Sequence, residues 1–231
     1  REACTVEADM AAVGLKPGLS GKTFIVQGLG NVGFHAAQFL QDGGAVAVGF
    51  AEIEGAIYDP GGLDIHGVVA HRTETGSILD YPGARNIVPS SDVLEEACDI
   101  LVPAALENQI HAGNAPRIRA KIVAEAANGP VTAEADQLLR ERGIHVIPDL
   151  YLNAGGVVVS YFEWIKNLSH VRFGRLEKRF EERAHRQLLK TVEKVTGHEF
   201  SEDEHLVKGA GEEDLVISGL EETMVQGFQE I

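Results

Sequence analysis

Cysteine, basic charge and long apolar runs are all scarce in this chain. Lys and Arg number 20 against 35 Asp and Glu, a net charge of −15 over 231 residues. That balance argues against the clustered basic surface that binds a nucleic-acid backbone, so no nucleic-acid partner is expected. No stretch approaches the ~20 apolar residues that span a bilayer, and no secretory signal is visible, so no membrane partner is expected either. The two cysteines, Cys4 and Cys98, have neither disulfide nor ligand spacing, and Cys98 reads as a small core residue ahead of a strand. The 9 histidines are scattered, with no His/Cys pair at metal spacing, so no metal is expected. A convincing nucleophile and a carboxylate pair are missing too. Apolar residues make up 44% of the chain, enough for one large domain or one and a half.

What is present starts with Phe24-Ile25-Val26-Gln27-Gly28-Leu29-Gly30-Asn31-Val32-Gly33. An apolar strand empties into a glycine turn and then into a helix over Asn31–Asp42. This is the arrangement by which Rossmann-type domains hold the pyrophosphate of a dinucleotide. Gly28 permits the tight turn, Gly30 lets backbone approach the phosphates, and Gly33 lets helix and strand pack closely. The helix N-terminus favours the negative charge. A second apolar run, Ala45–Ala51, ends at Glu52, about 20 residues on, where a ribose-binding carboxylate is expected. Such an acid accepts from ribose hydroxyls and repels a 2′-phosphate, so the expected cofactor is NAD, with NADP the less favoured one. Glu54, one step into the next turn, is the second choice.

Further apolar runs at Asp99–Val102, Lys121–Glu125 and Gly143–Pro148 alternate with helix-like segments at Leu63–Thr75, Asn108–Gly113 and Thr132–Glu141. Continuous rather than alternating apolar runs suit a parallel sheet covered on both faces. The expected fold is therefore α/β, a doubly wound, largely parallel Rossmann-type sheet with its ligand at the carboxyl ends of the strands. Those ends carry Gly28–Gly33, Pro103-Ala104-Ala105, Asn128 and Asn153. The two amides suit a ribose hydroxyl or a nicotinamide carboxamide, although Asn before Gly is also an ordinary turn former. Val157–Asn167 is apolar nearly all round and predicts a buried helix, in which Ser160 would bond back to its own backbone. Leu176–Val195 shows a helical apolar stripe. Gly197–Gly211 is loop-like, with a capping box at Ser201 and Glu204, and Glu212–Ile231 resumes a helical pattern that stops without a cap. The segment Gly18-Leu19-Ser20-Gly21-Lys22-Thr23 ends like a P-loop, but Lys16 stands where the first glycine belongs and the strand follows instead of preceding it. It reads as a turn.

Several blocks together resemble the glutamate dehydrogenases, within the Glu/Leu/Phe/Val dehydrogenase family. They are Gly14–Thr23 with Val26–Gly33, Asn114-Ala115-Pro116-Arg117, Ala124–Pro130, and above all Ile147–Trp164. The segment 170–176 is similar to the hexameric subgroup that includes animal enzymes, whose antenna would fall at roughly 180–211, shortened here. The resemblance implies oxidative deamination of L-glutamate to 2-oxoglutarate and ammonia, with hydride passing to a nicotinamide. It implies cofactor contacts at Gly28, Leu29, Gly30, Asn31, Val32, Gly33, Glu52, Ile53, Ala104, Ala105, Asn128 and Asn153. Ile53 falls where dual-cofactor members can carry serine, which again favours NAD. Substrate contacts fall on Asn128, Val157 and Ser160. The family's catalytic lysine and proton-transfer acid belong to an N-terminal domain expected to be absent, leaving no catalytic residue here. The expected organisation is a nucleotide-binding domain over 1–168, an antenna-like segment over 169–211 and a truncated helix over 212–231. A homo-hexamer is implied, in the cytoplasm or, in a eukaryote, the mitochondrial matrix. A leucine-, valine- or phenylalanine-type enzyme and a non-catalytic nucleotide-binding module stay open as alternatives.

Overall fold

The computed structural model describes residues 4, 7–169, 175–197 and 212–230. The expected loop and capping box at 198–211 lie outside them. The chain divides into two compact units, Arg1–Asn153 and Ala154–Ile231.

In the first unit a short helix α1 (Glu7–Ala12) precedes β1 (Thr23–Gln27), which leads into α2 (Asn31–Asp42) and β2 (Val46–Glu52). Next come β3 (Gly55–Leu63), α3 (Ile65–Thr75), β4 (Arg85–Ile87), a 3-10 turn at Ser90–Glu95 and β5 (Ile100–Pro103). A second 3-10 turn at Ala115–Arg117 leads to β6 (Ile122–Ala124), α4 (Ala133–Glu141), β7 (His145–Ile147) and α5 (Asp149–Leu152). The strands form one sheet in the order β4-β3-β2-β1-β5-β6-β7. From β2 to β7 every pairing is parallel, which is the doubly wound sheet expected. Central strands covered on both faces have apolar middles: Phe24, Ile25 and Val26 of β1, and Leu101 with Val102 of β5, are all buried. Cys98 is buried with them, and burial pushes its thiol up to about 12.

One feature of this unit goes beyond the expectation and one expectation needs correction. First, the sheet continues past β2. Glu52 pairs with Gly55 across the two-residue turn Ile53-Glu54, and β3 and then β4 extend the sheet antiparallel. Only Ala56-Ile57-Tyr58 of β3 carries a strand pattern, because Asp59-Pro60-Gly61-Gly62 breaks it. Second, Asn108–Gly113 is not a helix. Asn114 holds it as a turn, accepting from the His111 N–H at 2.8 Å and donating to the Gln109 carbonyl at 2.9 Å.

In the second unit α6 (Ala154–Ser169), α7 (Arg175–Thr196) and α8 (Glu212–Glu230) are helical, close to the expected limits. α6 lies close against α8, where a β-carbon on Gly219 would stand 3.6 Å from the Phe162 ring. The expected burial of α6 is not seen, since Val157, Tyr161 and Trp164 are each more than half exposed. Their spacing puts them on one helix face, and the packed face is the one that carries Phe162. Among the described residues no helix is long and apolar enough to cross a membrane.

Candidate nucleotide-binding site

The chain runs outward from β1 to β2, β3 and β4, then returns to β5 on the other side of β1. This reversal opens a crevice at the carboxyl ends of β1 and β5. The glycine turn sits at that point. Gly28 has φ +89° and is pressed against the next strand's exit, a β-carbon there being 2.9 Å from Ala105 Cβ. Ala104 donates its N–H to the Gln27 carbonyl at 2.8 Å, so both alanines lie beside the turn. Gly33 is tighter still, because its β-carbon would fall 1.7 Å from the Gly28 carbonyl oxygen. Gly30, by contrast, has open space at its β-carbon position. It is the N-cap of α2 and supplies no side-chain cap. The first intrahelical acceptor is its carbonyl, bonded by the Phe34 N–H at 2.9 Å, so the N–H groups of Asn31, Val32 and Gly33 precede the helical ladder. A cradle of free donors behind an open glycine fits a pyrophosphate. Gln27 adds a buried Oε1 with no donor among the described residues.

Glu52 ends β2 beside this turn. Its Oε1 accepts from the Leu29 N–H at 2.7 Å and pairs with the Arg72 guanidinium of α3 at 3.0 Å. Both contacts use one oxygen, leaving Oε2 without a partner among the described residues. Arg72 also reaches the Leu29 carbonyl at 3.3 Å, so it ties the strand end to the loop. Ile53 projects from the turn and is almost fully exposed. Glu54 is engaged elsewhere, accepting from the Ser77 hydroxyl at 3.0 Å and the Ile78 N–H at 3.2 Å. Burial opposes its ionisation, yet these donors hold its carboxyl below the ordinary range. Of the two acids, Glu52 is the one on the glycine turn.

On the other side of β1 the structure brings Asn128 and Asn153 together. Asn153 Nδ2 donates to Asn128 Oδ1 at 3.0 Å and to the Ala127 carbonyl at 3.2 Å. Val157 and Ser160 lie in the second unit on α6, where the Ser160 hydroxyl donates to the Gly156 carbonyl at 2.9 Å, the local bond expected of it. Among the described residues no group of three His, Cys, Asp or Glu could hold a metal ion. Arg72, Glu125 and Asp149 were not among the candidates. Nothing in their spacing marks them, since each meets its partner across the fold.

Fold and site together define a doubly wound α/β domain whose glycine turn lies at the switch point. A profile of the Glutamate/Leucine/Phenylalanine/Valine dehydrogenase family matches residues 3–216, and the chain belongs to that family. It is 52% identical over 226 residues to the mitochondrial glutamate dehydrogenase of Dictyostelium discoideum, covering 97% of this chain and 45% of that protein. An NADP-specific glutamate dehydrogenase of Saccharolobus shibatae is 45% identical over 152 residues, 66% of this chain and 36% of its own. Among solved structures, the hetero-hexameric glutamate dehydrogenase of Thermus thermophilus superposes with a TM-score of 0.62 at 27% identity, covering 96% of this chain and 52% of that one. The chain thus spans about half the length of the curated relatives it matches.

Proposed function

We propose that the chain is the nicotinamide-dinucleotide-binding part of a glutamate dehydrogenase, serving oxidative deamination of L-glutamate to 2-oxoglutarate and ammonia. The observation that carries this reading is the glycine turn at the switch point with Glu52 bonded directly onto it. The open N–H groups at the start of α2 hold the pyrophosphate, Glu52 Oε2 accepts from the adenosine ribose, and Asn128 with Asn153 lies under the nicotinamide half. The bound nicotinamide supplies the hydride acceptor. Glu52 favours NAD, because a 2′-phosphate would be set against its carboxylate, and Arg72 moderates that repulsion by holding the charge at 3.0 Å. Val157 and Ser160 are assigned to substrate. The lysine and acid that move protons are assigned to an N-terminal domain. The segment 169–211 is assigned as the antenna, and the assembly as a homo-hexamer.

Isothermal calorimetry with NAD and NADP on the chain and on Glu52→Ala tests the cofactor assignment. NAD binding should weaken by about tenfold while discrimination against NADP relaxes. Equal loss for both cofactors would remove Glu52 as the ribose reader. The chain by itself should bind NADH without turning over glutamate, and glutamate-dependent NADH formation by it would overturn that division of labour.

A further inference from the structure

The loop that carries Asn128 is cinched at both ends by one residue. Glu125, at the carboxyl end of β6, accepts from the Asp149 N–H through Oε2 at 2.9 Å. Asp149 in turn accepts from the Gly129 N–H through Oδ2 at 2.8 Å, and from the Leu150 N–H through Oδ1 at 2.6 Å. Residues 125 and 129 therefore both close onto Asp149, with Asn128 between them. Gly129 makes the return possible, since its φ of +56° lies in the left-handed region. The same residue fixes Asn153, whose N–H donates to the Asp149 carbonyl at 2.8 Å through the turn of α5. Glu125 is buried, so a carboxylate has been taken out of water to hold this arrangement.

The result is a defined orientation of two amides. Asn128 Oδ1 is engaged by Asn153, which leaves Asn128 Nδ2 as a donor. Asn153 Nδ2 is engaged twice, which leaves Asn153 Oδ1 as an acceptor. One donor beside one acceptor complements a primary carboxamide, whose carbonyl accepts and whose NH2 donates. The pair stands beyond β5, on the opposite side of β1 from Glu52, where the second nucleotide of a dinucleotide laid across the switch point must fall.

We propose that Asp149, braced on Glu125 and Gly129, is a positioning residue that orients the Asn128–Asn153 amide pair to select the carboxamide of nicotinamide. This rests on the nicotinamide-dinucleotide reading above. Three probes separate the two: NAD, nicotinic acid adenine dinucleotide (a carboxylate in place of the carboxamide) and ADP-ribose, which lacks the ring. Each is titrated calorimetrically into the wild-type chain and Asp149→Ala. The wild type should bind NAD about tenfold more tightly than the carboxylate analogue, which has no donor for Asn153 Oδ1. Asp149→Ala should erase that preference while ADP-ribose affinity stays within about twofold. A wild type without the preference, a variant that keeps it, or a folded variant that loses all three probes equally would overturn the proposal. If Asp149→Ala has lost its near-ultraviolet circular dichroism, Asp149→Asn, which keeps the side-chain volume and one acceptor, is judged on the same criteria with a partial loss of preference expected. A wild type that binds none of the three defeats the underlying reading as well as the proposal.

Discussion

Gly33 has no room for a β-carbon, because the Gly28 carbonyl already occupies that space. Gly33→Ala must push α2 away from β1 and should cost about 1–3 kcal/mol by urea denaturation. ADP-ribose affinity should fall with it, since the donors of α2 move as well. At Gly30 the neighbourhood is open, so Gly30→Ala should leave stability nearly unchanged and act on nucleotide binding alone. The contrast follows from geometry, and both glycines were legible in the sequence because a strand, a turn and a helix frame them. Arg72 was not legible. It lies 20 positions beyond Glu52 on a helix, and only the fold of β3 and α3 returns it to that acid. Arg72→Gln should release Glu52 Oε1 and sharpen discrimination against NADP, read as a wider ratio of the NADP and NAD dissociation constants.

At the scale of elements, pattern and chemistry agree where caps are explicit. The observed span of α2 matches the expected one because Gly30 begins it and the Gly43-Gly44 pair ends it. α4 begins after Thr132, whose hydroxyl accepts from the Ala135 N–H at 3.3 Å. Thr132→Ala should cost about 1 kcal/mol of stability in equilibrium denaturation. Where tertiary contacts decide, the sequence pattern misleads. β3 was hidden by its Pro-Gly-Gly segment, which lies beyond the Ala56–Tyr58 stretch that pairs with β4 and so tolerates what a strand paired on both sides would not. Asn108–Gly113 has helix-compatible residues, but Asn108 sits at φ +56° and the Asn114 amide closes the turn instead. The face of α6 bearing Val157, Tyr161 and Trp164 shows that an apolar helix need not be buried within its own unit.

For the whole molecule, two carboxylates give opposite responses to pH. Asp99, at the amino ends of the strands, accepts from the Thr23 N–H at 2.9 Å and pairs with Lys121 at 3.0 Å. Burial pushes its carboxyl up, but these donors outweigh it and hold the group below the ordinary carboxylate range. Its folded-state pKa is depressed, so its contribution is present above about pH 4 and lost as pH falls through the lower folded value. Glu125 is raised, by burial first and by the nearby Asp149 charge. Its contribution is full below about pH 4 and is lost as pH rises through the higher folded value. Stability measured by urea titration at a series of pH values should therefore fall less steeply with acid in Asp99→Asn. In Glu125→Gln, which keeps an acceptor for the Asp149 N–H, the decline on the other side should flatten.

The two-residue turn between β2 and β3 should give the two parts of the sheet different folding kinetics. The strand bearing Glu52 meets β3 across two intervening residues, a contact that closes almost without loop entropy. The crevice itself depends on β1 meeting β5, where Thr23 and Asp99 are 76 residues apart. Hairpin formation should therefore precede assembly of the switch point, and ADP-ribose binding should be acquired late. In stopped-flow refolding, destabilising the hairpin at Ile57 should alter the early phase, while destabilising the β1–β5 pairing at Leu101 should slow the step at which nucleotide binding is gained. Simultaneous gain of both signals in one phase would show that the sheet condenses as a single unit.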